Sequence, residues 1–163
     1  MNFDGFLSSN NYKTVQVPAD GHCLLHSVIY IIYGNDFTKL KPLLSLIKTE
    51  LTNNTQFWSD FSGFTGIELT KQMNSYCLNN DFQSDFADIL PSILSKLLKT
   101  SVEVYNVNRK NIFTSVLIGT EYLPNKIMLK LMFQHYQPIV SNDLNRQFGS
   151  IIIVIDNCFY ENI

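Results

Sequence analysis

The sequence predicts an α+β protein in which helices flank a small, mostly antiparallel β-sheet. Two observations favour this class. Apolar residues recur at helical spacing through most of the first hundred residues, whereas the apolar stretches after Thr100 are short and rich in β-branched and aromatic residues. No repeat, charge block or Gly/Ser-rich linker divides the chain, so residues 1–163 are predicted to form a single domain.

Four helices are predicted before Thr100. The first is apolar almost all round, which is typical of a helix inside a core, and Gly34 follows it as a stop signal. The third begins at a T-x-x-E capping box formed by Thr65 and Glu68, and the fourth has the strongest helical periodicity. The stretch "TNNTQFWSDFSGF" is predicted to be a loop. The predicted helices cover Cys23–Tyr33, 41–51, about 65–80 and about 84–98.

Four strands are predicted after Thr100, separated by the turn-like segments "NRKN", "EYLPN" and "SNDLNRQFG". The third strand is predicted to continue through "QHY", which places His135 at its end. The fourth is predicted to add to the sheet. The four strands are "VEVYNV", "IFTSVLI", "IMLKLMF" and "IIIVID".

The composition excludes several classes of protein. Twelve Lys and Arg residues against fourteen Asp and Glu give a net charge of −2, and the basic residues are scattered. Neither a nucleic acid nor a membrane surface is therefore an expected partner. The N-terminus lacks a signal-peptide pattern, and no apolar run reaches the ~18 residues of a membrane span. A soluble, cytoplasmic protein is expected.

The three cysteines are Cys23, Cys77 and Cys158. They cannot all pair and show no CxxC spacing, so neither a disulfide framework nor a zinc site is expected, and a reducing compartment fits. Cys77, on the apolar side of the third helix, and Cys158, after the last strand, are predicted to be incidental free thiols. Cys23 differs because it opens a helix.

The stretch "PADGHCLLHSV" places Cys23 directly after a tight turn. Backbone N–H groups at a helix N-terminus favour a thiolate and can donate to an oxyanion that develops beside it. Gly21 permits the sharp turn and the close approach of a substrate backbone. A turn followed by a small core cysteine is the alternative interpretation, because D-G is a common turn pair.

A cysteine nucleophile needs a base, and the chain offers three histidines. His22 is adjacent to Cys23 and is expected to point away from it. His26 lies one turn into a buried helix, where a hydrogen-bonded core histidine is expected. His135 is the best candidate, because the end of a strand can hold a side chain against a helix N-terminus, in the Cys-then-His order of papain-like sites.

These residues resemble a known family. "PADGHCLLHSV" is similar to the D-G-x-C signature of the ovarian tumour (OTU) cysteine proteases, and "QHYQPIV" resembles their H-Y block. The stretch "YCLNNDFQSDFADILPSILSKLLKTSVEVYNV" is similar to the middle region of the family, so the resemblance covers residues 16–140. It implies a papain-like OTU fold and a deubiquitinase that cuts after the C-terminal glycine of ubiquitin or a ubiquitin-like modifier.

The resemblance also implies residue roles. Cys23 would be the nucleophile, and His135 would be the general base and then the general acid. Asp20 would mainly fix the shape of an oxyanion loop whose donors are the amides of Gly21, His22 and Cys23. Gly21 and His22 would therefore contact substrate. No metal or cofactor is required.

Tyr136 would, by the same resemblance, shape the channel for the thin Gly-Gly tail of the modifier, although core packing is an equally common role for a strand tyrosine. The implied partners are ubiquitin or a ubiquitin-like modifier and polyubiquitin chains, and a monomer is expected. Phe57 or Trp58 could add apolar contacts to the modifier, although such aromatic residues are more often buried.

The residue that orients the imidazole is the main departure from the family pattern. Many members carry Asp or Asn two residues after the histidine, where this chain has Gln137. An amide oxygen can accept the Nδ1–H bond but stabilises an imidazolium less than a carboxylate does. Asn142 or Asp143 could serve if the chain after Pro138 folds back. Asn10 or Asn11 are further alternatives, since some relatives supply this residue ahead of the cysteine.

Two rival functions follow. One is a catalytically weak OTU fold that binds ubiquitin without cutting it, which the neutral Gln137 motivates. The other is a papain-like protease that processes a polyprotein, which the small self-contained domain and the use of related folds in viral polyproteins motivate.

Overall fold

A computed structural model describes residues 1–79, 84–119 and 126–143 of the chain. In these ranges six α-helices surround a five-stranded sheet. The helices are α1 (Phe3–Ser9), α2 (Cys23–Tyr33), α3 (Leu40–Asn53), α4 (Thr55–Ser62), α5 (Gly66–Asn79) and α6 (Ser84–Leu98). The strands are β1 (Tyr12–Thr14), β2 (Ser101–Val107), β3 (Phe113–Ile118), β4 (Lys126–Met132) and β5 (His135–Ser141), and a short 3-10 helix covers Phe37–Lys39.

The sheet has the strand order β1-β5-β4-β2-β3. Strands β1 and β5, β4 and β5, and β2 and β3 pair antiparallel, whereas β2 and β4 are parallel. The predicted α+β class, with a mostly antiparallel sheet and flanking helices, is confirmed. The strand β5 lies between β4 and β1: its first four residues pair with β4, and its last three pair with β1.

Helix α2 lies in the middle of the main core, with the bounds that the sequence predicted. Nine of its residues, from Cys23 to Ile32, are buried. A helix that is apolar all round has no solvated face, so it is covered on every side. It packs against β5 and α3, and this packing places its N-terminus beside the first residues of β5.

The other face of the sheet carries a smaller cluster that α1 covers. Phe3 is fully buried there, and Ile139 of β5 and Val107 of β2 are nearly so. Because side chains alternate along a strand, the residues of β5 that share a face with Ile139 include His135 and Gln137. Tyr136 and Val140 point to the main core instead.

The predicted loop "TNNTQFWSDFSGF" is wrong, because it contains helix α4. Trp58 is 2% exposed, and its indole N–H donates to Glu50 Oε1 at 3.1 Å. Gly63 ends the helix in the left-handed region with φ of +78°. Trp58 is the one buried residue of α4, so the helix lacks the repeated apolar positions from which it could have been predicted.

The capping box at the start of α5 is confirmed. The Thr65 N–H donates to Glu68 Oε2 at 2.9 Å, and the Glu68 N–H donates to Thr65 Oγ1 at 3.2 Å. These reciprocal bonds satisfy two N–H groups that the helix itself leaves unpaired.

The strand predicted through "IMLKLMFQHY" is two strands. Phe133 and Gln134 have φ values of +52° and +61°, which makes them the centre of a tight hairpin turn. The strand β4 therefore ends at Met132, and His135 begins β5 instead of ending β4. The short elements α1 and β1 were not predicted. The strand predicted at "IIIVID" lies outside the described residues, and so does Cys158.

None of the helices in the described ranges is long and apolar enough to cross a membrane.

Candidate active site

The turn before α2 is built around Asp20. Its Oδ1 accepts the N–H of His22 at 2.8 Å, and its carbonyl oxygen accepts the N–H of Cys23 at 3.3 Å. The first bond inside the helix runs from the His26 N–H to the His22 carbonyl oxygen at 2.9 Å. Asp20 therefore fixes the conformation of the loop that delivers Cys23 to the helix start.

Cys23 lies against the first residues of β5. The N–H of Tyr136 donates to Cys23 Sγ at 3.4 Å, and His135 is the preceding residue of the same strand. The fold thus brings the predicted nucleophile and the predicted base to neighbouring positions, although over a hundred residues separate them in sequence. The side chain of Cys23 is 2% exposed, so the thiol lies beneath the surface.

Burial raises the pKa of the Cys23 thiol above its usual value. The N–H groups of Tyr136, Leu24 and Cys23 itself oppose this rise, because they stabilise a thiolate, whereas the carboxylate of Asp20 adds to it. The helix start supplies the donors that the sequence led us to expect. In this conformation the cost of burying a negative sulfur outweighs them.

The pKa of His135 is lowered, first because partial burial disfavours the charged ring. The carboxylate of Asp20 opposes this effect, and the ammonium of Lys130 adds to it. Together with the raised pKa of Cys23, this shift favours an uncharged pair of thiol and imidazole. A neutral imidazole is the form that can accept the proton of the thiol.

His22 occupies a different position from the one expected of a substrate contact. Its ring is 3% exposed, its Nε2 lies 2.7 Å from the carbonyl oxygen of Tyr76, and the two rings meet edge to face at 4.7 Å. Its N–H is bonded to Asp20. In this conformation the side chain of His22 anchors the loop to α5, and its amide is bonded to Asp20, so a contact of His22 with substrate stays a prediction.

Gly21 is partly exposed, whereas His22 and Cys23 are buried. The amides of its neighbours His22 and Cys23 already have acceptors in Asp20. In this conformation the loop therefore does not offer all three of its amides, those of Gly21, His22 and Cys23, to an oxyanion.

Gln137 lies close to His135 on β5. Alternation along the strand places the two side chains on one face of the sheet, and Gln137 is 8% exposed. It lies opposite Lys130 of β4, while His135 lies opposite Met132. Among the predicted orienting residues, Gln137 is the one whose side chain shares a face of β5 with His135.

The downstream alternatives lie at the opposite end of β5. Asn142 Nδ2 donates to Asn11 Oδ1 at 3.1 Å, and Asn11 Nδ2 donates to Asp143 Oδ1 at 3.1 Å. At a rise of about 3.3 Å per residue, the strand separates this cluster from His135 by roughly 20 Å. The expectation that Asn142, Asp143 or Asn11 orients the imidazole is therefore corrected, because β5 runs straight after Pro138.

Asn10, the fourth alternative, is also engaged elsewhere. It caps the C-terminus of α1, and its Nδ2 donates to the Phe6 carbonyl oxygen at 2.8 Å. It precedes β1 at the same far end of β5, so it does not reach His135.

Tyr136 contributes its main chain to the site and its side chain to the core. The side chain is 6% exposed and belongs to the main apolar cluster. Burial raises the pKa of its phenol to about 12, with smaller contributions from Cys23 and Asp88. Of the two roles considered from the sequence, the structure places this side chain in core packing.

Two contacts near the site, made by Tyr76 and His26, were not predicted from the sequence. The carbonyl oxygen of Tyr76 contacts Nε2 of His22, although the two residues are 54 positions apart. No local sequence pattern indicates such a contact. His26 was expected only as a core histidine, and it is 6% exposed, yet its Nε2 also lies 3.1 Å from Asp20 Oδ2. Its position one helical turn after His22 could have suggested a contact with the loop.

The remaining sequence candidates lie on helices α4 and α5. Cys77 is half-buried against the main core, and burial raises the pKa of its thiol. Phe57 is half exposed on α4, whereas Trp58 is buried. Within the described ranges, no group of three or more His, Cys, Asp or Glu side chains is placed to hold a metal ion.

The described fold is that of an OTU domain. The structure is similar to that of the OTUD1 OTU domain, with a TM-score of 0.69 at 14% identity, over 85% of this chain and 91% of that one. It is also similar to the viral OTU domain protease from Dera Ghazi Khan virus, with a TM-score of 0.64 at 17% identity, over 85% of this chain and 83% of that one.

A third similar structure is the Hazara virus OTU bound to ubiquitin, with a TM-score of 0.62 at 17% identity, over 81% of this chain and 82% of that one. The sequence matches no protein-family model and no curated protein. Identities this low show the shared fold and leave the chemistry to be argued from the residues of this chain.

Proposed function

We propose that this chain is a cysteine isopeptidase of the OTU family, which removes ubiquitin or a ubiquitin-like modifier from proteins. One observation carries the proposal: the N-terminal residue of α2 is a cysteine whose sulfur meets the N–H of the residue after His135, in a chain with the OTU fold. The structure of a similar viral OTU bound to ubiquitin supports ubiquitin as the modifier.

The proposed reaction begins with a proton transfer. Neutral His135 takes the proton of Cys23, and the thiolate attacks the carbonyl carbon of the modifier's C-terminal glycine. The C–N bond to the lysine amine breaks, and protonated His135 gives its proton to that amine. Water then attacks the thioester, His135 accepts a proton from the water, and the thiol is regenerated as the modifier's carboxylate leaves.

The N–H groups around Cys23 support the first step. Those of Tyr136, Leu24 and Cys23 already favour the thiolate, and they keep this orientation because α2 and β5 hold them. The amides of His22 and Cys23 become oxyanion donors only when substrate displaces their bonds to Asp20. Binding of the modifier tail therefore includes a rearrangement of the loop 20–23.

A second candidate function is a ubiquitin-binding module with little activity. Two observations favour it: Gln137 is uncharged where an acid would stabilise the imidazolium, and Cys23 is buried with a raised pKa. In this case the chain would bind the modifier without forming the thioester.

A ubiquitin probe with a C-terminal electrophile tests both candidates. The proposal expects one covalent adduct on the wild-type chain, located at Cys23 by peptide mapping, and no adduct on Cys23→Ala. Cys77→Ala is the matched control, because Cys77 is a second free, partly buried thiol, on α5, with no role in the proposed reaction, and this variant should react like wild type.

Diubiquitins of different linkages and probes built on ubiquitin-like modifiers then identify the substrate. Cleavage by the wild type and none by Cys23→Ala is expected. Binding of ubiquitin without adduct or cleavage would favour the binding module. Equal cleavage by Cys23→Ala would remove Cys23 as the nucleophile and overturn the proposal.

A further inference from the structure

A buried histidine holds the loop that presents the nucleophile. Asp20 uses each carboxylate oxygen for a different partner: Oδ1 accepts the His22 N–H at 2.8 Å, and Oδ2 lies 3.1 Å from Nε2 of His26. The His26 side chain is 6% exposed, whereas that of Asp20 is 40% exposed. The histidine is therefore the fixed partner, and the carboxylate reaches inward to it from a loop that faces solvent.

The hydrogen-bonding of His26 is one-sided. An ionised carboxylate only accepts hydrogen bonds, so the hydrogen in this contact is on Nε2. The other ring nitrogen, Nδ1, is buried and has no partner among the described residues. The ring is also fixed by an edge-to-face contact with Phe37 at 5.7 Å. Asp20 is therefore the one hydrogen-bond partner of the His26 side chain among the described residues.

A ligand role does not fit this position. The cavity beside His26 measures about 20 Å³, far below the roughly 300 Å³ of a small-molecule site. The position of His26 as the fourth residue of helix α2 fits a support for the loop instead.

We propose that His26 is a positioning residue for the nucleophile. Its Nε2–H holds the carboxylate of Asp20, and Asp20 in turn holds the His22 and Cys23 amides, so the loop 20–23 covers Cys23 and keeps α2 starting at that residue. The expected effect on the reaction with ubiquitin rests on the proposed function of Cys23. The expected effect on the exposure of the Cys23 thiol does not. The charge of Asp20 also affects both Cys23 and His135, so its position matters to both groups.

Three substitutions separate this role from packing. His26→Phe keeps a ring of similar size against Phe37 and removes the donor. His26→Gln places an amide N–H near the position of Nε2, which bonds to Asp20. His26→Asn places its amide near the position of Nδ1, which has no partner. If the Nε2 bond is what matters, His26→Gln should restore the wild-type behaviour of Cys23, and His26→Asn should not.

Two rates are measured at Cys23 for each variant: the reaction with the ubiquitin electrophile, and alkylation by iodoacetamide followed by peptide mapping. For His26→Phe, adduct formation is expected to fall about tenfold, the size expected for loss of a bond to a charged group, because an unanchored loop no longer presents Cys23 and the amide donors in one arrangement. Alkylation of Cys23 is expected to rise several-fold, because a released loop uncovers the thiol. Alkylation of Cys77 serves as the internal control and should not change.

His26→Gln is expected to return both rates toward wild type, and His26→Asn is expected to behave like His26→Phe. Equal behaviour of Gln and Asn, or wild-type rates for His26→Phe, would overturn the role. The Gln and Asn pair keeps the test decisive if His26→Phe does not fold. If wild type fails to react with ubiquitin but alkylation follows the expected order, the proposed function fails while the positioning role stands.

Discussion

The two ends of β5 differ in how their polar side chains are engaged. At the Ser141 end, Asn11, Asn142 and Asp143 bond to one another and join β5 to the chain before β1. At the His135 end, a partly buried imidazole precedes the residue whose N–H donates to the buried Cys23 thiol, and burial shifts both pKa values toward the uncharged forms. The polar side chains at the Ser141 end are therefore bonded to one another. At the His135 end, the thiol and the imidazole favour their uncharged forms and are free to take part in proton transfer.

This comparison explains why Asn142 and Asp143, two of the predicted orienting residues, are not at the site. The acid and amide residues that follow Pro138 in sequence are used to anchor β1, roughly 20 Å from the imidazole. The strand geometry leaves Gln137 on the face of His135 and brings the charge of Asp20 in from the loop before α2. Support for the imidazole thus comes from another element of the fold.

The largest effect in this comparison is expected for His135→Ala. Loss of the general base should lower the rate of adduct formation with the ubiquitin probe by roughly 10²- to 10⁴-fold. The melting temperature is expected to change little, since the side chain is only partly buried. A rate close to that of wild type would show that the His135 end of β5 is not the catalytic end.

An intermediate effect is expected for Gln137→Glu, which keeps the size of the side chain and adds a negative charge on the face of His135. The carboxylate stabilises the imidazolium, so the pKa of His135 rises. The acidic limb of the pH profile of kcat/KM should therefore move to higher pH, by about one pH unit. This measurement uses cleavage of a diubiquitin substrate.

Gln137→Met is the matched control for that shift, because it has a similar length and no charge. The acidic limb should keep its position in this variant. An unchanged limb in Gln137→Glu would mean that Gln137 and His135 do not interact, although they share a face of β5.

The smallest effect on activity is expected at the other end of the strand. Asn142→Ala and Asp143→Ala each remove one side-chain bond to Asn11, which should lower the free energy of unfolding by about 0.5–1 kcal/mol. Activity should stay within about twofold of wild type. Chemical denaturation and the probe assay measure the two quantities. A loss of activity as large as that of His135→Ala would contradict the placement of these residues.

Elements that are determined by their own local residues could be predicted from the sequence. Helix α2 was predicted with its observed bounds because its apolar residues leave no polar face, and α5 was predicted at its start because Thr65 and Glu68 cap each other locally. The position of Cys23 at a helix start follows directly from the first of these.

Contacts that depend on distant residues could not be predicted in the same way. The turn at Phe133 and Gln134 uses two left-handed residues, neither of which is Gly, Asn or Asp, so no turn signal marks the start of β5. The orientation of His22 depends on Tyr76 in α5. The assignment of Asn142 and Asp143 failed because only the pairing of β1 with β5 reveals where they lie.

The burial of Cys23 has a consequence for its chemical survival. Peroxide attacks thiolates that it can reach and converts them to sulfenic acid, from which further oxidation is irreversible. Cys23 is 2% exposed and its pKa is raised, so in this conformation it presents neither the charge nor the surface that oxidants need. A cysteine that is covered and uncharged while its loop is closed is therefore protected from oxidative damage in that state.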